Sequence, residues 1–384
     1  NVADFTQSAG DFKVSGALDI NASNDVLLSN GSMQVGSADI KAGAGIALTK
    51  GSLTAKEAAL SITIGGSISE AANGFVLDVD ALSATAINSN IALNSKSNRL
   101  VNVNVYADVG DITIGSANGK DAQALTVTTG SDVVKGALSI TNYNDGSGSL
   151  NEIKVADKLQ ATGAISIVNE ESDINVAQGS EITSSASNVT LDSAKNVSIA
   201  GAVNASADAS INARGEIDVE GNVNAANAML NAKDNVSVAG AIVATADTDI
   251  TSGKAIHVAG SVNAENATLQ AGSTITVNNI TASQKASFEA GEDFIHNGGA
   301  INAKEAVVVA QRNVLLNGGS MVADVATLTA TSGAIVEKAG YVVDAPVLAV
   351  GAGTYIDMGS SANQLVNVDV TKAGGNVTIG SGNS

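Results

Sequence analysis

Cysteine and tryptophan are absent from the 384 residues, proline occurs once, at Pro346, and aromatic side chains make up only 2% of the chain. Without cysteine there is no disulfide framework and no thiolate zinc site. This does not exclude an extracellular home, because a large repetitive core needs no covalent staples. Without large aromatics the core cannot be of the thick kind that ordinary globular domains build. Yet 44% of the residues are hydrophobic. The apolar volume therefore comes from Ala, Val, Ile and Leu, and the core is expected to be thin and repetitive. Cationic residues are also scarce. Nineteen Lys and Arg against 38 Asp and Glu give a formal net charge of −19. Such a surface repels phosphate backbones, so nucleic acid is not expected as a partner. No apolar run is long enough to span a membrane. The opening Asn1-Val2-Ala3-Asp4 carries no signal-peptide pattern, so the sequence reads as a processed chain or a piece of something longer.

What is present is a repeat. From Val197 to Val350 the glycines Gly201, Gly221, Gly240, Gly260, Gly299, Gly319 and Gly340 recur roughly every 19–21 residues or a multiple of that step, with Asn279 at the one missing position. A period of this size points to a solenoid or array. Gly and Asn are the residues that tolerate positive φ, so these positions are expected to be corners. Between corners, apolar and polar residues alternate, which means strands rather than helices. Each turn carries an Ile-x-Val piece, a Val-Asn-Ala piece and an Ala-x-Leu-x-Ala piece. Strands this short cannot stand alone, but each can pair in parallel with its equivalent one turn away. The expected fold class is therefore all-β, a parallel β-helix (β-solenoid) of about 19–21 residues per turn with three short strands per turn.

Stacking the turns predicts core columns. Ile217, Val236, Ile256 and Ile275 form one. Val219, Val238, Val258 and Val277 form a second. Leu230, Ile250, Leu269 and Phe288 form a third. The alanines Ala225, Ala244, Ala264 and Ala282 are expected to be small because three sheets converge on a narrow lumen. Asn204, Asn224, Val243, Asn263, Thr281, Asn302 and Val322 form an uncharged outward column, read chiefly as a polar strand face.

A longer repeat overlies the turn repeat. Asn98–Val105 recurs as Asn363–Val370, and Asp111–Ser116 as Asn376–Ser381. The offset is about 265 residues, or about thirteen turns. Residues 1–384 are read as one continuous solenoid segment, with 1–119 the end of one module and 120–384 a second. The stretch from Lys120 to Ser187 is the least regular, and the loop from Asn142 to Ser149 reads as an excursion from one corner. Some nineteen or twenty turns at about 4.8 Å each predict a rod on the order of 90–100 Å. The pattern is still running at Ser384, so the solenoid is expected to continue.

The turn pattern Ile-x-Val-x-Gly-x-Val-x-Ala-x-x-Ala-x-Leu-x-Ala resembles the repeats of filamentous-haemagglutinin-like large bacterial exoproteins. The resemblance is strongest from Val189 to Ser384 and covers most of the chain more loosely. It implies a right-handed coil, export to the cell surface or medium, and a shaft role. Implied partners are other copies or further modules of the same protein and a host or neighbouring-cell surface glycan or protein. The family's N-terminal secretion domain is not recognisable here. The same shaft serves adhesins, contact-dependent toxins and matrix proteins, so the resemblance specifies architecture more than function.

The sequence offers little chemistry. His257 fills an outward slot between Ile256 and Val258, and His296 lies near a corner with no third ligand in register, so neither a His-based triad nor a zinc site is expected. The Asp145-Gly146 loop with Glu152 has the glycine and final acid of an EF-hand, but its first two ligand positions would be Thr141 and Tyr143. The cluster Asn169-Glu170-Glu171-Ser172-Asp173 reads as a solvated corner that could hold Ca²⁺ loosely, and no other cofactor is expected. Acids are scattered and arginine is limited to Arg99, Arg214 and Arg312, which does not suit a polysaccharide-cleaving groove. Asn-x-Ser/Thr triplets start at Asn188, Asn196, Asn204, Asn235, Asn266 and Asn376, as a chain this rich in Asn, Ser and Thr produces by chance. The reading is a structural shaft of an extracellular bacterial adhesin or surface fibre and not an enzyme. The alternatives are a self-assembling matrix or filament subunit and, further off, a polysaccharide-active β-helix enzyme.

Overall fold

The computed structural model describes residues 2–117, 123–144 and 151–382. The loop Asp145-Gly146 singled out above lies outside the described residues. The chain falls into two compact units, one running to Ala207 and the other starting at Asp208. Both are built from parallel strands stacked turn upon turn, with no helix among the described residues, and together they hold about 18 turns of β-solenoid.

The second unit is the more regular. One turn consists of the strands Ile217–Val219, Asn222–Ala225 and Asn227–Ala232. The next consists of Val236–Val238, Ala241–Ala244 and Asp247–Ser252. Ile217 pairs with Val236, Val236 with Ile256 and Ile256 with Ile275. Val219, Val238, Val258 and Val277 pair in the same order. Leu230, Ile250, Leu269 and Phe288 form the third column. All twelve side chains are buried, each contributing about 1.5–3 kcal/mol of hydrophobic stabilisation. Phe288 fits among leucines because Phe294 packs against it with ring centroids 5.0 Å apart. Ala225, Ala244 and Ala282 are buried, whereas Ala264 is half-exposed. From Ile256 onward neighbouring strands fuse, all three into one bent strand over Ile256–Ala271 and Ile275–Ala290, and the second and third over Ala300–Ala310 and Ser320–Ala330.

The first unit begins with turns of ordinary length, as in the pairing of Val26 with Ile46. It then widens. Ile112 pairs with Leu138, Leu138 with Ile165 and Ile165 with Val189, each a longer step along the chain than any between the columns of the second unit named above. Longer turns consume more chain, which is why the total is about 18 turns and not nineteen or twenty.

The seven register glycines do not share one role. Gly299, Gly319 and Gly340 have φ of 71°, 94° and 90° and occupy the left-handed region that a corner demands. Gly201, Gly221, Gly240 and Gly260 do not have positive φ. Gly240 and Gly260 are required by close approach instead. A Cβ on Gly240 would overlap the carbonyl oxygen of Gly221, and one on Gly260 that of Gly240. Asn279 does not adopt positive φ either. Its Oδ1 accepts a bond from the Ala300 amide at 3.3 Å and its Nδ2 reaches back to the Gly260 carbonyl at 3.5 Å, so it serves as a bridge between turns.

Other amides repeat that device on the outer corners. Asn235 donates to Glu216 at 2.8 Å and accepts from the Ala255 amide at 3.2 Å. Asn313 donates to Asp293 and accepts from the Ala334 amide, both at 3.0 Å. A short amide or carboxylate at this position satisfies a donor in the next turn that the backbone ladder leaves unpaired.

Candidate functional site: two buried carboxylate–asparagine locks

The densest polar chemistry lies inside the solenoid. In the first unit the strand Ile68–Glu70 alternates inward and outward, which turns Glu70 into the core at the place Leu48 holds one turn earlier. Only 8% of Glu70 is exposed. Its Oε2 accepts the Ser95 amide at 2.9 Å and the Asn98 side-chain amide at 2.8 Å. Asn98 also donates to the Gly115 carbonyl at 3.2 Å and accepts the Leu77 amide at 2.9 Å. The Ser95 hydroxyl donates to the Phe75 carbonyl at 2.9 Å. The Ser116 hydroxyl accepts the Leu100 amide and donates to the Asn98 carbonyl, both at 3.1 Å. Ser95, Asn98 and Ser116 are fully buried. One asparagine thus ties together three successive turns.

The second unit repeats this constellation. Glu337 Oε2 accepts the Ser360 amide and the Asn363 side-chain amide, each at 3.1 Å. Asn363 accepts the Val343 amide at 2.8 Å, and Ser360 donates to the Tyr341 carbonyl at 3.1 Å. Ser381 accepts the Leu365 amide and donates to the Asn363 carbonyl, both at 3.2 Å. Tyr341 stands where the first unit has Phe75. Its added hydroxyl lies 2.7 Å from His296 Nδ1, while His296 Nε2 lies 2.9 Å from the Asn278 carbonyl. A carbonyl only accepts, so Nε2 carries the ring proton and Nδ1 accepts from the tyrosine.

Burial dominates the electrostatics. It pushes the Glu70 carboxyl up to about 7, against the opposing pull of the bonds from Ser95 and Asn98. Burial raises Glu337 in the same way, again against the bonds from Ser360 and Asn363. Burial raises the Tyr341 hydroxyl and lowers His296. In each lock the Oε1 atom of the glutamate is buried with no hydrogen-bond partner. A proton held on the carboxyl removes the charge that such an atom would otherwise carry without compensation.

A third polar cluster occupies the wide turns of the first unit. Asn142 donates to Asn169 Oδ1 at 3.1 Å, and Asn169 donates to the Asn151 and Asp173 carbonyls at 2.9 and 2.8 Å. Asn169, Glu171 and Ser172 are therefore buried. The stretch expected to be a solvated corner is largely an interior bracket, with Glu170 left outside. His257 is exposed on its strand. His296, expected beside a corner, faces the core with none of its surface exposed. None of the glycines or core-column residues singled out above belongs to either lock. Among the described residues, no group of three or more His, Cys, Asp or Glu side chains could hold a metal ion.

The asparagines and serines of the locks coincide with the long repeat, since Asn98 and Asn363, and Ser116 and Ser381, are equivalent positions. Sequence reading found the repeat and gave these residues no chemistry. The signal that would have found the carboxylates is alternation: Glu70 and Glu337 each stand two residues after an isoleucine, on the inward beat of a strand.

The fold and these locks define a parallel β-solenoid repeat protein. In comparisons with known proteins, no family model, no curated protein and no solved structure matched the chain.

Proposed function

We propose that this chain is a shaft segment of an extracellular bacterial adhesin or surface fibre of the filamentous-haemagglutinin-like kind, and that its task is mechanical. The observation that carries the reading is the doubling of the lock. A polar constellation of glutamate, asparagine and two serines recurs with the long repeat, and its effect is to pin turns together rather than to meet a substrate. Stacked parallel ladders and interior brackets resist slippage between turns, which is what a spacer requires. In this reading the chain catalyses nothing, needs no cofactor, and meets its partners through other modules or copies and through a cell-surface glycan or protein.

Electron microscopy of the native particle, with and without Ca²⁺, tests the reading. Single rods with a distinct tip on the cell surface support it. Ordered bundles or a repeating filament would replace the spacer with a self-assembling matrix. Release of reducing or unsaturated ends from acidic glycans would replace it with an enzyme.

A further inference from the structure

The outer face of the first unit carries a trough of about 540 Å³. Two adjacent outward columns form its floor. One runs Asp19, Asp39, Ala59, Ser83, Asn104, Thr128 through successive turns. The other runs Ser37, Glu57, Ala81, Asn102, Thr126. Small side chains at the centre, Ala59, Ala81 and Ser83, leave the space open. The corresponding outward columns of the second unit interleave small residues such as Ser210 and Ser287 with bulkier ones, Met229 and Val307 in one column and Lys285, Val325 and Val347 in the other.

The trough is chemically polarised. Three carboxylates, Asp19, Asp39 and Glu57, line one half, and amides and hydroxyls line the other. Asp19 and Asp39 are direct neighbours on paired strands, an arrangement that costs stability through repulsion. Lys41 forms its ion pair with Asp39. Asp19 and Glu57 have no ion pair among the described residues, and no Lys or Arg lines the trough. No aromatic ring lines it either, so nothing offers a stacking platform to a sugar. A flat floor of alanine suits a chain lying extended along the trough. Asn104 and Thr126 offer side-chain hydrogen bonds to a peptide backbone, Asn102 adds its side-chain oxygen beside the bond its amide makes to the Asp80 carbonyl, and the acidic half accepts cationic side chains.

We propose that this trough binds an extended, lysine- or arginine-bearing segment of another protein. The assignment stands on the first unit alone and goes beyond the shaft reading.

The test is fluorescence anisotropy of a labelled, end-capped Lys-Ser-Lys-Ser-Lys peptide titrated with the full chain at about 0.15 M salt. Asp19→Asn with Glu57→Gln removes two charges and is expected to weaken binding at least threefold, at up to about fivefold per exposed pair. Ala81→Leu fills the floor without altering charge and is expected to weaken binding at least fivefold. Ser83→Leu is the substitute if that variant fails to fold by circular dichroism. Asp249→Asn with Glu289→Gln removes two exposed charges from the second unit and is expected to change affinity less than twofold. The proposal is overturned by absence of binding, by indifference to the filling variants, or by equal weakening in the control pair, which would mean diffuse attraction to an acidic surface. Binding of a glucosamine tetramer in place of the peptide would overturn it in favour of an amino-sugar polymer.

Discussion

Asn98 donates its side-chain amide to Glu70 at 2.8 Å, and Asn363 donates to Glu337 at 3.1 Å in the same way. The bond is short, buried and doubled along the chain. It makes the interior of this solenoid sensitive to pH and to single substitutions in ways its apolar columns are not.

The first prediction concerns pH. The folded Glu70 carboxyl titrates at about 7 against an ordinary 4.5, so the folded state holds a proton that the unfolded chain has released. For a carboxyl raised in this direction, stability is greatest below about pH 4.5, falls as pH rises toward 7 and levels off above. Glu70→Gln keeps an acceptor for Ser95 and Asn98 and cannot ionise. Its melting temperature should match the parent's near pH 4.5 and exceed it at pH 8, where ionisation costs the parent about 3 kcal/mol. Equal melting at both pH values would show that Glu70 is not the titrating group.

Asn98→Ala removes three hydrogen bonds at once and strands the Leu77 amide and the Gly115 carbonyl. The expected cost is about 2–4 kcal/mol, whereas exposed Asn104→Ala should stay within about 0.5 kcal/mol. Hydrogen exchange at the Leu77 amide gives the local check: it should accelerate in the first variant and not in the second.

Glycines separate by what surrounds them. A Cβ on Gly260 would overlap the Gly240 carbonyl, while one on Gly298 meets open space, and neither has positive φ. Gly260→Ala should cost about 1–3 kcal/mol by overpacking. Gly298→Ala should be neutral or stabilise by about 0.4–1 kcal/mol through the unfolded chain. Denaturant midpoints measured side by side decide the matter, and the reverse order would contradict the close-approach account.

His296 is held neutral by burial, with its folded pKa below the unfolded value of 6.5. The unfolded chain therefore takes up a proton that the folded one resists, and stability falls as pH drops below about 6.5. The double variant His296→Leu with Tyr341→Phe replaces the pair by apolar groups in a column that already contains Val277 and Leu316. It should lose that acid-side decline and leave the Glu70 effect, which belongs to the other unit, unchanged. Persistence of the same decline in the double variant would assign it elsewhere.

The columns Ile217–Ile275 and Leu230–Phe288 were legible in the sequence because alternation and a fixed step act together: each fixes which face a side chain takes and which neighbour it meets. The wide turns around Leu138 and Ile165 were harder to place, since a lengthened step breaks the register on which column-reading depends. The two origins of glycine could not be separated from spacing. Gly260 and Gly319 look alike in sequence and both face a neighbouring carbonyl oxygen, and only the positive φ of Gly319 marks it as a left-handed corner. The locks escaped for a related reason. Glu70 sits at the place of an apolar residue, and its partners Ser95 and Asn98 lie more than one turn along the chain. The trough rests on what is missing, namely bulk at Ala59, Ala81 and Ser83, and periodicity does not register an unfilled space.

The span of each lock also bears on how such a chain can lengthen or shorten between generations. Pairing between ordinary turns is local, so a whole turn could be duplicated or lost wherever columns match. From Glu70 to Ser116 the bonds join segments of successive turns, and a crossover between unequal turns inside that interval would deliver a buried glutamate without its asparagine, or an asparagine without its serine. Recombination that adds or removes single turns should therefore have its surviving breakpoints outside these intervals, and genes for related chains should differ in length by steps that leave every lock whole.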